Sequence, residues 1–262
     1  MKLVTSAQNL KSGLRLFRGL IQKHMNIPVV RCVQISGDTL SGTDLDNDLS
    51  VRIAVKEADG DMLVDYSQLL EIVSLIPSNE DVTLTQSEDR KAVLSFGSAQ
   101  YNLLAARPGD YHPAITIPTV KPKIFRCGNA GLAAAFKRVS HAISTEETRY
   151  WYYLNGACLT KDKDGNPYVV ATDGHRLAAK AVPAAKHFDG QIVQRRAIDF
   201  VLRFGEPTEV HFWPDSNVAR FELPGATLVT KLIDGSFPDW TRVIPDQGDT
   251  QMTLNARAAK AA

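Results

Sequence analysis

The sequence predicts an α+β protein built from one unit used twice. Three observations lead there: short alternating strands interleaved with amphipathic helices, a local motif that returns about 126–129 residues later, and a matching return of basic charge. The chain has 262 residues, room for two domains of ordinary size at about 100–200 residues each.

Residues 1–5 alternate as a short strand. Leu10, Leu14, Phe17 and Ile21 then recur at helical spacing, predicting a helix with one buried face. Lys11, Arg15 and Arg18 follow the same period beside that stripe and face outward. Asn26-Ile27-Pro28 ends the helix, because proline cannot continue its hydrogen-bond ladder. Strands are predicted at 29–35 and 49–55, with Asp59-Gly60 as a turn between strands. Residues 65–76 read as a second helix through Leu69, Leu70, Ile72, Val73 and Ile76, and strands follow at 82–85, 92–96 and 101–105. The order then repeats. A strand at 124–126 precedes a helix with Asn129 as its cap and Leu132, Ala135, Phe136 and Val139 as its apolar face. Strands at 152–159 and 168–171, a helix at 194–204, and strands at 210–213, 219–223 and 226–232 complete it.

Two local matches set the register. Gly42-Thr43-Asp44 corresponds to Ala171-Thr172-Asp173, and Gly109 with its neighbours corresponds to Gly235 in Asp234-Gly235-Ser236-Phe237-Pro238. A repeat of this length is a domain, not a solenoid unit. The predicted division is 1–117, 118–248, and the start of a third unit at 249–262. Residues 251–255 read as its first strand and 256–262 as the opening of its helix, and Pro118 and Pro122 mark the linker.

Net charge is +1, so the chain does not hold nucleic acid by bulk positive charge. Charge is segregated, however. Residues 1–37 carry six bases and no acid, residues 38–89 carry thirteen acids and two bases, and residues 111–145 carry five bases and no acid. Each unit therefore opens with a basic amphipathic helix. Such helices side by side would attract phosphates without reading bases.

Catalysis finds little support. There is no Gly-x-Ser-x-Gly elbow, no phosphate-cradling glycine loop, and no His-x-x-x-His spacing among the six histidines, so no cofactor or metal is expected. Cys32, Cys127 and Cys158 are scattered and odd in number; they read as small buried hydrophobes in a reducing, cytoplasmic setting.

Four motifs in order carry a family resemblance: Leu40-Ser41-Gly42-Thr43-Asp44-Leu45; Ala142-Ile143-Ser144-Thr145-Glu146-Glu147-Thr148-Arg149-Tyr150 with Tyr153-Leu154-Asn155-Gly156; Ala171-Thr172-Asp173-Gly174-His175-Arg176-Leu177-Ala178; and Leu232-Ile233-Asp234-Gly235-Ser236-Phe237-Pro238-Asp239-Trp240 with Arg242-Val243-Ile244-Pro245. Together they resemble the first two domains of the bacterial β sliding clamps, the β subunits of DNA polymerase III. The resemblance implies the DNA clamp fold, with two inner helices and outer antiparallel sheets per domain. It also implies a non-catalytic processivity factor. Full-length relatives have three domains and close as head-to-tail homodimers around duplex DNA; two domains alone are expected to be monomeric. Implied partners are the polymerase III catalytic subunit, the clamp loader and other proteins with clamp-binding peptides.

Carried over by motif, the peptide groove comprises Leu154, Thr172, Gly174, His175, Arg176, Leu177, Pro238, Arg242 and Val243. The leucines, Pro238 and Val243 suit an apolar anchor, Gly174 spares a turn that a side chain would obstruct, and the arginines suit peptide carbonyls or an acidic flank. DNA contacts are expected at Lys23, His24, Arg149, Tyr150 and Tyr153. The chain departs from the family in having Tyr150-Trp151-Tyr152-Tyr153 where two aromatics are usual, which leaves their roles open. Two other readings remain: a self-sufficient two-domain clamp closing as a trimer, and a peptide-binding module without a ring.

Overall fold

The computed structural model describes all residues except Met25, Asp89, His112, Asn129, 147–149, 246–252, 254 and 256–262. The two repeats have the same strand order. In the first, antiparallel neighbours run Lys2–Ser6, Asp81–Glu88, Lys91–Phe96, Ala99–Ala106, Asp61–Asp65, Cys32–Ser36, Thr39–Thr43 and Asn47–Arg52. In the second they run Lys123–Arg126, Glu209–Trp213, Val218–Leu223, Ala226–Ile233, Gln191–Gln194, Gly156–Lys161, Pro167–Thr172 and Leu177–Ala181. The first repeat adds Glu57–Asp59, paired with its opening strand and turned at Gly60 with φ +70°.

Each repeat contributes two helices: α1 (Ala7–Arg15) and α2 (Tyr66–Leu75), then α3 (Leu132–Val139) and α4 (Arg195–Phe204). α1 packs on α2 and α3 on α4. Their apolar faces are buried: Leu10 and Leu14 in α1, Leu69 and Val73 in α2, Leu132 and Phe136 in α3, Ile198 and Val201 in α4. These side chains meet the inner sheet residues in one apolar cluster that runs through both repeats.

Helix ends show how similar units use different residues. Ser6 caps α1 by accepting from the Asn9 amide at 3.2 Å, and Asp65 caps α2 through the Gln68 amide at 2.9 Å. α3 begins after Gly131, which has no capping side chain. Its first amides, Leu132 and Ala133, donate instead to the Glu206 carboxylate at 2.6 and 2.8 Å. The predicted cap, Asn129, lies outside the described residues.

Several predicted boundaries shift. α1 ends at Arg15, and tight i→i−3 turns carry the apolar period on through Phe17 and Leu20. The strand predicted from 152 begins at Gly156, because Tyr152–Leu154 form a 3-10 turn. Residues 28–31 are also a 3-10 turn, with Pro28 at its start. The edge strand Leu177–Ala181 went unpredicted; its run of alanines gives no alternation to read. The expected third unit lies outside the described residues, apart from Thr253 and Asn255.

The repeats join along a sheet edge. Ala226–Ile233 pairs antiparallel with Asn47–Arg52, Ala226 opposite Val51 and Thr230 opposite Asn47. Buried Thr230 donates through Oγ1 to Asn47 Oδ1 at 2.9 Å, so the polar side chains at the seam are satisfied. The connecting chain is strapped down. The Ala114 and Ile115 amides donate to the Asp48 carboxylate at 3.2 and 2.8 Å, Ile115 packs with Trp213, Val218 and Val229, and Trp213 Nε1 donates to Val120 O at 2.8 Å.

Candidate nucleic-acid interface and peptide groove

The four helices form a layer in the order α2, α1, α4, α3, because Arg203 of α4 reaches the end of α1. Arg15 of α1, Arg18 in the turn that continues it, and Lys137 and Arg138 of α3 are exposed. Lys11 is not wholly available to solvent: its Nζ donates to Ser74 O at 3.0 Å, in the last turn of α2, where a cation meets the negative end of the helix. α2 carries no base at all, so the exposed bases of the helix layer belong to α1, to α3 and to α4, where Arg196 and Arg203 are exposed. Lys23 and His24 are exposed in the turn beyond α1, and Lys23 lines a cleft of about 430 Å³ with Arg18, Tyr66 and Glu71.

The aromatic run resolves into distinct positions. Tyr150 and Trp151 project into solvent, 82% and 55% exposed. Tyr152 and Tyr153 sit in the 3-10 turn that leads into Leu154-Asn155-Gly156. The Tyr152 hydroxyl donates to Asp234 O at 2.7 Å, and Tyr153 lies against Gly235, where an added Cβ would meet Tyr153 Cβ at 2.9 Å. Tyr152 and Tyr153 are therefore held to the 234–235 turn, and Tyr150 and Trp151 stand outside it. Arg149 lies outside the described residues.

The groove candidates other than Leu154 lie at two turns. In the first, Thr172 and Leu177 are paired across a hairpin, and Thr172 Oγ1 donates to Arg176 O at 2.8 Å. Asp173 accepts from the His175 and Arg176 amides at 3.0 Å each and from Arg176 Nε at 2.9 Å. Those hydrogen bonds, the Arg176 amide foremost, lower its pKa to about 2. Gly174 adopts φ +89° with nothing within 4 Å of where a Cβ would stand. The demand for glycine is thus conformational, and the expected obstruction by a side chain is absent. In the second turn, Asp239 accepts from Thr241 Oγ1 at 2.7 Å and pairs with Arg242 at 2.9 Å.

Both candidate arginines therefore spend Nε on a neighbouring aspartate. His175, Arg176, Pro238 and Arg242 are exposed, and Val243 is 66% exposed. Leu177 is half-buried, while Leu154 is buried at 4% exposure and can serve only as floor. Sequence reasoning missed Trp240. Its buried indole packs on Tyr168, ring centroids 5.1 Å apart, and ties the 238–243 turn to the strand that leads into Thr172. The tryptophan beside a Pro-Asp turn was the available signal.

His175, Arg176 and Asp173 also border a cavity of about 240 Å³ with His141 and Arg195. The three cysteines are buried, and burial raises their pKa values, Cys32 to about 11 and Cys127 and Cys158 to about 12. Among the described residues no cluster of three potential metal ligands occurs, and no helix is long and apolar enough to cross a membrane.

Duplicated α+β units with a helix layer on one side and joined sheets on the other define the class of clamp-fold proteins. Comparison with known proteins narrows this. Residues 1–116 match the model of the DNA polymerase III beta subunit N-terminal domain, and residues 128–239 match that of its central domain. The beta sliding clamp of Caulobacter vibrioides is 34% identical, over 97% of this chain and 71% of the relative. That of Haemophilus influenzae is 27% identical, over 94% and 68%. Among solved structures, the Pseudomonas aeruginosa sliding clamp bound to griselimycin superposes with a TM-score of 0.81 at 26% identity, covering 95% of this chain and 69% of that one. Caulobacter crescentus polymerase III beta gives 0.78 at 32%, covering 94% and 70%. The chain belongs to the DNA polymerase III beta subunit family.

Proposed function

We propose that this chain acts as a DNA sliding clamp, the non-catalytic processivity subunit of DNA polymerase III in the cytoplasm. The observation that carries this reading is the seam between repeats. It joins two different edges, Asn47–Arg52 of the first repeat and Ala226–Ile233 of the second. A joint of unlike edges is heterologous, and repeating it generates a ring when the rotation closes. The equivalent edges at the ends are Leu177–Ala181 and Ala99–Ala106, and the latter exposes Tyr101 and Leu104. Further units of the same fold extend the arc from these edges, with basic α1 and α3 on the concave side facing phosphate. The division at 117/118 and a third unit from 249 belong to this proposal.

Duplex DNA is then held by topology and by exposed bases without sequence readout, which raises the local concentration of a tethered polymerase. Lys23, His24, Tyr150 and Tyr153 remain the assigned DNA contacts. The groove takes the hydrophobic clamp-binding peptides of the polymerase, the loader and other partners, with Leu177, Pro238 and Val243 as walls, Leu154 as floor, and Thr172, Gly174, His175, Arg176 and Arg242 at the rim.

Titrating a labelled hydrophobic clamp-binding peptide by fluorescence anisotropy tests the groove. Saturable binding that weakens at least about tenfold in Leu177→Asp or Val243→Asp is expected, since a buried charge opposes an apolar anchor. Binding unaffected by both substitutions would remove the groove assignment. Light scattering tests assembly: a mass near 28.8 kDa fits a two-repeat monomer, whereas a stable trimer makes two repeats sufficient for a ring.

A further inference from the structure

We infer that Arg196 and Arg203 of α4 are positioning residues that lock the angle between the two repeats, and are not phosphate contacts despite their place in the basic helix layer. Arg196 Nη1 lies 2.7 Å from Asp44 Oδ2 of the first repeat, and the Asp44 side chain is only 3% exposed. The other Asp44 oxygen accepts from the Asp46 and Asn47 amides at 3.1 and 2.7 Å, so the acceptor is itself fixed. Arg203 Nη1 donates to Leu16 O at 2.7 Å and Arg18 O at 2.9 Å, and its guanidinium lies 5.0 Å from the Phe200 ring centroid. Those carbonyls are the ones α1 leaves open past its last turn. The guanidinium thus caps the negative end of a helix belonging to the other repeat.

The two arginines are seven residues apart, so they share one helix face about 10 Å apart along the axis. Attachment at two separated points restrains rotation, which a single contact does not. The backbone seam alone resembles a hinge line, since pairing along one strand leaves twisting about that strand comparatively soft. The Arg203 contact, on the helix side away from that line, opposes the twist, while the Arg196 contact anchors the other end of the same helix at the Asp44 turn beside Asn47.

The molecule contains its own control. The offset of 129 that relates Thr43-Asp44 to Thr172-Asp173 also relates α2 to α4, and it places Ser67 and Ser74 opposite Arg196 and Arg203. The same fold therefore forms without arginine at either place. Likewise Asp173, the counterpart of Asp44, receives Arg176 from its own turn and no arginine from another described unit. The arginine pair is a property of the joint and not of the fold.

The test uses the full chain with spin labels at Ser98→Cys and Lys163→Cys, one exposed position in each repeat; the native thiols are buried. Pulsed dipolar spectroscopy is expected to give one narrow distance for the parent. Arg196→Met with Arg203→Met is expected to broaden it at least twofold, while amide exchange in the core of each repeat is unchanged. Asp44→Asn, which keeps the turn-forming oxygen but loses the charge, gives an intermediate width, and it serves if the double variant does not fold. Identical distributions in parent and variants overturn the assignment. A lower salt slope of duplex-DNA binding with unchanged distances also overturns it and returns the arginines to phosphate. No DNA or peptide is present in the distance measurement, so its outcome is independent of the sliding-clamp reading.

Discussion

Removing the Glu206 carboxylate should loosen a helix that lies more than seventy residues earlier in sequence. α3 is short, with eight residues, and a helix of that length is not stable by propensity alone. Its first amides have no cap of their own and donate to Glu206 at 2.6 and 2.8 Å. Hydrogen bonds to a charged group contribute about 1.5–3 kcal/mol each when nothing replaces them. The site is half-exposed, so water takes over part of that when the carboxylate is lost. The remaining cost is comparable to a strong N-cap, about 2 kcal/mol for Glu206→Ala. Glu206→Gln keeps one carbonyl acceptor and loses the charge at the helix N-terminus, so about 1 kcal/mol is expected. Urea unfolding followed by circular dichroism measures both, with the slope m unchanged if the denatured chain is unaffected. If the whole chain unfolds as one unit, Tm for the alanine variant falls by about 4–8 °C. A loss below about 0.5 kcal/mol for Glu206→Ala would refute the reasoning, because it would mean the α3 amides gain nothing from the carboxylate.

Three other outcomes are expected. Gly174→Ala should cost about 1–2 kcal/mol from its left-handed backbone alone, with no crowding contribution, measurable by thermal melting; a cost above about 4 kcal/mol would point to a clash that the open surroundings of Gly174 do not provide. Asp173 should titrate near 2 by carbon-detected NMR. Its folded pKa is depressed, so its stabilising contribution is present above the unfolded value of about 3.9 and is lost as pH falls through the folded one; a midpoint near 3.9 would show that the turn does not hold the carboxylate. Cys32, Cys127 and Cys158 should resist a thiol-reactive dye at pH 8 in the native protein and react fully in denaturant; fast native labelling of any of them would contradict its burial.

Much of the fold was legible because hydrophobic period is a local property. Leu10, Leu14 and Phe17 announce a buried helical face without knowledge of what covers it, and each is fully buried. The duplicated Thr-Asp turn was legible for the same reason: Thr43-Asp44 and Thr172-Asp173 close on their own neighbours. Boundaries were less so. Tyr152–Leu154 has strand-like composition, yet the Tyr152 hydroxyl finds its partner at Asp234, and the segment turns.

The candidate site divides in the same way. The sequence by itself determined the family motifs, the repeat, and the exposed bases of α1 and α3, since each depends on residues close together in the chain. Only the tertiary structure decided that Leu154 is buried and Val243 exposed, that Trp240 packs on Tyr168, and that two of the α4 arginines grip the other repeat. Asp44 and Arg196 are separated by 152 positions, and a charge pattern does not say which charges meet. What a long cationic side chain does is settled by the nearest open acceptor. For Arg203 these are the carbonyls of Leu16 and Arg18, brought within 3 Å only when the two repeats join.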